Sequence, residues 1–345
     1  MIGISNSIKI RIDPPAFFFT NRFITYFRLK REIIKVILSY IRDHFKYDFN
    51  PKSYFYAFIF LVIFTTVNYA IDFENRYLDI HIGTLKGILF NTLFFSLAYF
   101  GMVIPVAFLN HQKPVIANKA FWWKSILLIS SIGLFNGYYL FPGFIRALPD
   151  YSDRVYLFYL SNAMKGWVFY LIPLLLIHYF FDRGEKTIYG FKLSGVNYRP
   201  YLLLFLLAAP FIIYASYQPD FLMKYPFFKP WLHPEVLGYD AKKPAVLFEF
   251  AYGINFIFLE WMFRGALVIG MANFLGKHAI LPMVSVYVFL HFGKPLPETI
   301  AAAFGGYLLG IIAYYSRSIF AGCLIHVGIA CLMDALAYWQ YYYGK

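Results

Sequence analysis

Long apolar runs alternate with short polar connections along most of this sequence. Nine runs stand out, at 54–71, 86–109, 124–142, 156–181, 200–217, 245–272, 278–292, 297–315 and 319–340. A helix needs about 20 apolar residues to cross the hydrocarbon core of a bilayer, and its backbone groups must be hydrogen-bonded within the segment. The pattern therefore predicts an all-α fold, a polytopic transmembrane helix bundle of eight or nine spans. The seventh and eighth runs are short enough to be tilted or partly re-entrant.

The chain ahead of the first run has a different pattern, typical of an amphipathic helix over residues 29–46. The apolar face carries Ile34, Ile37, Leu38, Ile41 and Phe45. The opposite face carries Arg31, Lys35, Arg42 and Lys46. Such a helix can lie in the membrane interface or pack on the cytoplasmic side of the protein itself, and the sequence leaves both readings open.

Polar interruptions divide the chain into four predicted regions. The longest interruption, 218–244, is rich in proline and of mixed charge. We therefore expect an interfacial N-terminal segment at 1–53, an N-terminal transmembrane block at 54–217, a loop at 218–244 and a C-terminal transmembrane block at 245–345.

Composition agrees with a membrane protein and gives it an orientation. Hydrophobic residues make up 60% of the 345 positions and charged residues only 14%, against about 25% charged in soluble domains. The net charge of +13 lies beside apolar runs, where Lys and Arg face anionic lipid headgroups. We therefore expect membrane lipids, and no nucleic acid, as partners. The basic N-terminal region favours a multi-pass protein of the cell membrane with its N-terminus in the cytoplasm.

Ionisable residues in or at the edges of apolar runs are concentrated near the C-terminus. They are Glu249, Glu260, Arg264, His291, Lys294, Glu298, His326 and Asp334. Ionisable groups in lipid are costly, so each raises a functional hypothesis. Residues spaced by four share one face of a helix, which puts Arg264 beside Glu260 and Asp334 in line with His326. The spacing predicts that a carboxylate, a guanidinium and two imidazoles converge inside the bundle.

A second spacing concerns how closely the helices of this block pack. Ala302, Gly306 and Gly310 recur at four-residue intervals in the eighth run. Small residues on one face let a neighbouring helix approach closely. We expect this face to contact another helix of the same block.

Three short stretches resemble the motifs of the CAAX protease and bacteriocin-processing family of intramembrane endopeptidases. That family has E-E-x-x-x-R on one helix, F-x-x-x-H on the next and H-x-x-x-N on the last. The similar stretches here are LEWMFRG at 259–265, YVFLH at 287–291 and HVGIA at 326–330. The resemblance covers about residues 245–340. It departs from the pattern at Leu259, Tyr287 and Ala330, where the family has glutamate, phenylalanine and asparagine.

The resemblance implies an activity and a set of roles. The activity is hydrolysis of a peptide bond in a membrane-associated or lipidated peptide. In this hypothesis Glu260 activates water, His291 shares the proton and His326 stabilises the oxyanion, while Arg264 orients the carboxylate. Three further acidic residues are additional candidates for the site: Glu298, Asp334 and Glu249.

Other readings of the same residues stay open. Glu260, His291 and His326 are a donor set that zinc accepts, although no H-E-x-x-H spacing is present and no cofactor is certain. The missing motif residues also suit a catalytically inactive relative, an immunity or membrane peptide-binding protein. A transporter is the third alternative, but transporters are usually built from two similar halves, and the polar groups here lie in one.

Overall fold

The computed structural model describes residues 35–192, 198–218 and 221–344. The longer helices of these ranges are α1 (35–43), α2 (Pro51–Ile71), α3 (Leu85–Leu109), α4 (Lys119–Gly137), α5 (Tyr151–Ala163), α6 (Ile172–Phe181), α7 (Arg199–Ser216), α8 (Lys242–Glu260), α9 (Ile280–Phe289), α10 (Leu296–Ser316) and α11 (Phe320–Tyr343). The fold is an all-α, polytopic helix bundle, as the apolar pattern predicts.

Short elements connect these helices. Single α-helical turns lie at Lys113–Ala117, Gly143–Arg146, Phe221–Lys224 and Ala272–Leu275, and 3₁₀ turns at Asp79–His81, Pro230–Leu232 and Gly276–Ala279. Wider π-helical segments lie at His44–Asp48, Glu74–Leu78, Trp167–Leu171 and Trp261–Gly270. Strands β1 (Glu235–Val236) and β2 (Tyr239–Asp240) pair antiparallel in the loop before α8.

Seven helical stretches of the described residues are long and apolar enough to cross a membrane. They are Pro51–Ile71, Leu85–Leu109, Tyr151–Phe181, Arg199–Ser216, Lys242–Phe289, Leu296–Ser316 and Phe320–Tyr343. The stretch Lys242–Phe289 has 48 residues, which as one straight helix would measure about 70 Å, twice the hydrocarbon core. It is instead interrupted near Gly276, where the backbone has a φ of +55°. It is also the most buried of the seven.

Two predicted spans have different bounds in the structure. The run at 124–142 corresponds to α4, which begins at Lys119 because the Asn118 side chain accepts hydrogen bonds from the next turn, and which ends at Gly137. Two lysines and three serines lower its hydropathy, and it is not among the seven stretches. The run at 278–292 ends as a helix at Phe289, and residues 290–295 form a turn instead.

The predicted amphipathic helix is represented by α1, since residues 29–34 lie outside the described part of the chain. Ile37 is buried and belongs to a small apolar cluster with Tyr201, Ile312 and Ile325. Leu38, on the same predicted face, is more than half exposed. This face therefore packs in part on the protein itself, which favours the second of the two readings.

Small residues bring α10 against α9, as their spacing predicts. A Cβ atom added to Gly306 would lie 2.9 Å from the ring of Tyr287, and one added to Gly310 would lie 2.7 Å from Met283 Cε. Both distances are shorter than side chains tolerate. The close approach confirms the predicted contact face, and it fixes the position of Tyr287 in the second motif.

A buried ion pair joins the N-terminal helices to the motif-bearing part of the chain. Lys124 Nζ lies 2.6 Å from Asp182 Oδ2 and also donates to the carbonyl of Gly270 at 2.6 Å. The Tyr189 hydroxyl donates to the same carboxylate oxygen at 2.6 Å. Both charged side chains are almost fully buried. A buried charge must be paired to be tolerated, so this contact holds α4 and the chain after α6 against the segment Trp261–Gly270.

Candidate active site

Glu260 lies at the centre of the candidate site, at the last position of α8. Its Oε1 atom accepts a hydrogen bond from Arg264 Nη1 at 2.8 Å and lies 2.9 Å from His326 Nδ1. Glu260 is 0% exposed and Arg264 1%, whereas the His326 side chain is 18% exposed. The carboxylate thus joins two helices, α8 and α11, through charged hydrogen bonds that are stronger when buried. His326 is the member of this group that is open to its surroundings.

The helix becomes wider immediately after Glu260. The ten residues Trp261–Gly270 form a π-helical segment in which every residue is buried. π-Helical segments are rare and frequently occur at functional sites. Arg264 is in this segment, one turn from Glu260, so the predicted placement of the two side chains on one face is observed.

A glycine on α11 allows this close packing. A Cβ atom added to Gly322 would lie only 1.9 Å from Glu260 Oε2 and 2.7 Å from Glu260 Cδ. No protein donor within hydrogen-bonding distance of Oε2 is found in the described chain. Gly322 therefore gives the carboxylate its space, four residues before His326. The sequence carried a signal for this role, a residue without a side chain one turn from a motif histidine.

The ring of Tyr287 connects the three motifs. The Arg264 guanidinium carbon lies 4.2 Å from the ring centroid, a cation–π contact. The centroids of the His291 and His326 rings lie 4.6 Å and 6.3 Å from it. The tyrosine that stands where the family has phenylalanine is thus the common neighbour of the arginine and both histidines.

His291 lies in the turn between α9 and α10, outside the spanning helices. Its Nδ1 atom is 2.7 Å from the carbonyl oxygen of Tyr287, which can only accept. Nδ1 therefore carries the hydrogen, and Nε2 keeps its lone pair. Burial lowers the pKa of His291 to about 4, because the charged imidazolium loses its hydration. At neutral pH the structure presents an uncharged imidazole with a free Nε2 acceptor.

The other acidic candidates lie away from Glu260. Glu249 accepts a hydrogen bond from the Tyr338 hydroxyl at 3.2 Å and interacts with Asp334. Glu249 and Glu260 thus face α11 at two levels, with α8 and α11 antiparallel. Glu298 lies 3.9 Å from Lys294 Nζ in the first turn of α10. Catalytic roles for Glu249, Asp334 and Glu298 stay predictions.

The two positions without the family's polar residue are both buried. Leu259 is 8% exposed and belongs to the main hydrophobic core, and Ala330 is 6% exposed. Leu259 therefore packs rather than reaching the Glu260 carboxylate, and Ala330 offers no hydrogen-bond donor on its side chain. Neither position therefore supplies a polar side chain to the candidate site.

A metal requires several free donors at one point. Among the described residues, no three His, Cys, Asp or Glu side chains come close enough together to hold a metal ion. The Glu260 oxygen nearest His326 also contacts the Arg264 guanidinium, a positive charge that opposes a divalent cation. These residues do not fit a zinc site. The divalent metal expected from the sequence stays a prediction.

Comparison with known proteins agrees with the motifs. Residues 241–332 match the family model of the type II CAAX prenyl endopeptidases, described as Rce1-like. No curated protein and no solved structure matches the chain. The matched range contains all three motifs and every residue placed above around Glu260. Residues 241–332, the part of the chain that carries the motifs, are thus similar to the Rce1-like prenyl endopeptidases, and the apolar helices are those of a multi-pass membrane protein.

Proposed function

We propose that the protein is an intramembrane endopeptidase that hydrolyses a peptide bond in a membrane-associated peptide. One observation carries the proposal: within the Rce1-like range, a fully buried glutamate is hydrogen-bonded to both an arginine and a partly exposed histidine. An ion pair between Glu260 and Arg264 would stabilise the helix without His326. The histidine adds a group able to exchange protons with a bound molecule.

The proposed reaction begins with water at His291. The neutral imidazole accepts a proton from water at Nε2 while the water oxygen bonds to the scissile carbonyl carbon. The carbonyl oxygen becomes an oxyanion, which His326 stabilises by donating a hydrogen bond from Nε2. The C–N bond then breaks, and His291 returns its proton to the leaving amine. The proton balance closes with both histidines in their starting forms.

Glu260 acts through His326 in this proposal. Its Oε1 atom accepts from two donors, and its Oε2 atom lies against Gly322. A carboxylate in this position orients the His326 ring and fixes which nitrogen points away, as the carboxylate does in a hydrolase triad. Arg264 orients the carboxylate, since its planar guanidinium donates to Oε1 from a fixed direction. Direct activation of water by Glu260 stays the alternative from the sequence.

The test is hydrolysis of a fluorogenic, membrane-anchored peptide by the purified protein in liposomes. Wild type is compared with Glu260→Gln and His291→Ala, and with Glu235→Gln as a matched control, because Glu235 is an exposed carboxylate in the loop before α8. We expect turnover to fall at least about 100-fold in the first two variants and to persist in the control, because removing a catalytic base or an electrostatic group costs that much. Equal turnover in all four proteins contradicts the assignment.

The same assay separates the inactive alternative. Leu259 and Ala330, which replace polar motif residues, are the observation that favours a peptide-binding relative without catalysis. Such a protein would bind the anchored peptide with equal affinity in wild type and His291→Ala and would cleave it in neither. A peptide that binds without cleavage in every variant would therefore replace the proposed function with this one.

A further inference from the structure

The turn that carries His291 is held by side chains from other parts of the chain. In α2, the Asn68 side chain donates from Nδ2 to the carbonyl of Phe292 at 3.2 Å. Its Oδ1 atom accepts from the backbone N–H of Glu74 at 3.1 Å. Asn68 is 4% exposed, so both of its polar atoms are used inside the protein. One buried amide thus joins the end of α2 to the residue after His291.

Tyr69, the next residue of α2, continues the contact. Its hydroxyl oxygen lies 2.6 Å from the carbonyl oxygen of Lys294 and 2.7 Å from Thr299 Oγ1. Thr299 Oγ1 in turn lies 2.6 Å from the carbonyl oxygen of His291 itself. Because a carbonyl oxygen can only accept, the Tyr69 hydroxyl donates to Lys294 and the Thr299 hydroxyl donates to His291, and the two hydroxyl oxygens contact each other.

Two further contacts complete the enclosure. The Lys224 ammonium donates to the carbonyl of Gly293 at 3.2 Å. Together with the bonds above, the four consecutive carbonyls of residues 291–294 each face a side-chain donor from another helix or turn. The Glu74 carboxyl packs on Gly293 so closely that an added Cβ atom would lie 3.0 Å from both of its oxygens. A side chain at position 293 would therefore displace the Glu74 carboxyl.

The imidazole ring of His291 is held by a further hydrogen bond, to the backbone of Tyr287. His291 Nδ1 donates to the Tyr287 carbonyl, so the orientation of the ring follows the backbone of the turn. A displacement of the turn by a fraction of an ångström would move Nε2 by a similar distance. Proton transfer needs heavy atoms about 2.6–3.2 Å apart, which makes it sensitive to such a shift.

We propose that Asn68 and Tyr69 of α2, acting with Thr299, are positioning residues that hold His291 at the candidate active site. The inference rests on the proposed function, because that function gives His291 a reaction for which its position matters. It assigns to the N-terminal block, which has none of the three motifs, a direct part in building the site. None of the three residues contacts the peptide in this proposal.

The experiment compares variants that remove only a hydroxyl group. Tyr69→Phe keeps the ring and deletes the contacts to Lys294 and Thr299. Its matched control is Tyr56→Phe in the same helix, whose hydroxyl donates to the carbonyl of Gly101 at 2.8 Å, away from the turn. Thr299→Val removes the hydroxyl that faces His291, and Thr299→Ser keeps it.

Two measurements are made on each protein in liposomes. Kinetics on the anchored peptide should show kcat lowered about 10–100-fold in Tyr69→Phe and Thr299→Val with KM unchanged, because displacement of a catalytic group by about 1 Å costs up to this factor. Thr299→Ser should recover most of the kcat, and Tyr56→Phe should lose none. Hydrogen–deuterium exchange should rise in the peptide covering 288–298 for Tyr69→Phe and stay unchanged for Tyr56→Phe.

The outcomes separate the positioning role from the proposed function. Exchange in 288–298 that does not change in Tyr69→Phe overturns the positioning role, whatever the activity. Equal losses of kcat in Tyr69→Phe and Tyr56→Phe also overturn it, as does a rise of KM alone. If hydrogen–deuterium exchange is faster in Tyr69→Phe but the wild-type protein cleaves no peptide, the contacts that hold the turn are supported and the proposed endopeptidase activity is overturned.

Discussion

The contact between Gly322 and Glu260 allows a sharp test of the site that does not depend on the identity of the substrate. In Gly322→Ala, the new methyl carbon would lie 1.9 Å from Glu260 Oε2. Carbon atoms do not approach oxygen closer than about 3 Å without repulsion, so the carboxylate or α11 must move by about 1 Å. The atom that the new methyl group would meet belongs to a buried carboxylate and not to the flexible end of an exposed side chain.

The magnitude follows from what the shift would break. A displacement of about 1 Å takes Glu260 Oε1 out of hydrogen-bonding range of either His326 or Arg264, now at 2.9 and 2.8 Å. Leaving one member of a buried charged group without its partner costs about 3–5 kcal/mol. For a chain of this size that corresponds to a fall in Tm of roughly 4–7 °C.

The assay is thermal unfolding in detergent, followed by tryptophan fluorescence, with peptide hydrolysis as a second readout. Gly305→Ala is the matched control, because Gly305 lies in α10 and an added Cβ atom meets nothing within 4 Å. That control should gain up to about 1 kcal/mol from helix propensity. We expect Gly322→Ala to lose stability and about 100-fold in kcat. Equal Tm values for the two variants would show that α11 does not approach the carboxylate as described.

Three further predictions concern Arg264, Tyr287 and Glu74. Arg264→Lys should lower Tm and kcat although it keeps the positive charge. Lysine has no planar guanidinium that could stack on the Tyr287 ring and donate to Glu260 at the same time. Kinetics equal to those of the wild type would contradict this prediction. Tyr287→Phe should keep Tm within a few degrees, since the ring makes the observed contacts, whereas Tyr287→Ala should lower it markedly; a Phe variant as unstable as Ala would assign those contacts to the hydroxyl. Burial, with a contribution from Asp79, raises the pKa of Glu74 from its ordinary 4.5 to about 8. Between these two pKa values the folded state holds a proton that the unfolded state releases, so the stability of the wild type falls as pH rises from about 5 to 8. The Tm of Glu74→Gln should therefore exceed that of the wild type at pH 8.5 but not at pH 5. Parallel curves of Tm against pH for the two proteins would refute the pKa shift.

The sequence by itself determines the fold class and the part of the chain that carries the chemistry. Apolar runs of about 20 residues leave few alternatives to a helix bundle in lipid, because an unpaired backbone group there costs several kcal/mol. The pairing of Glu260 with Arg264 also follows from local spacing, since it needs only one helix turn. Their catalytic roles stay predictions that the variants above are designed to test.

Contacts between distant parts of the chain were decided only by the tertiary structure. His326 meets Glu260 because α8 and α11 lie antiparallel and Gly322 permits their approach, neither of which local spacing specifies. The contacts of Asn68 and Tyr69 with the His291 turn join residues more than 220 positions apart. Helical periodicity gives the face on which a side chain lies but not its partner, because packing of many weak contacts chooses the partner helix. The N-terminal block, which has no motif of its own, thus reaches the turn of the second motif through hydrogen bonds from Asn68 and Tyr69.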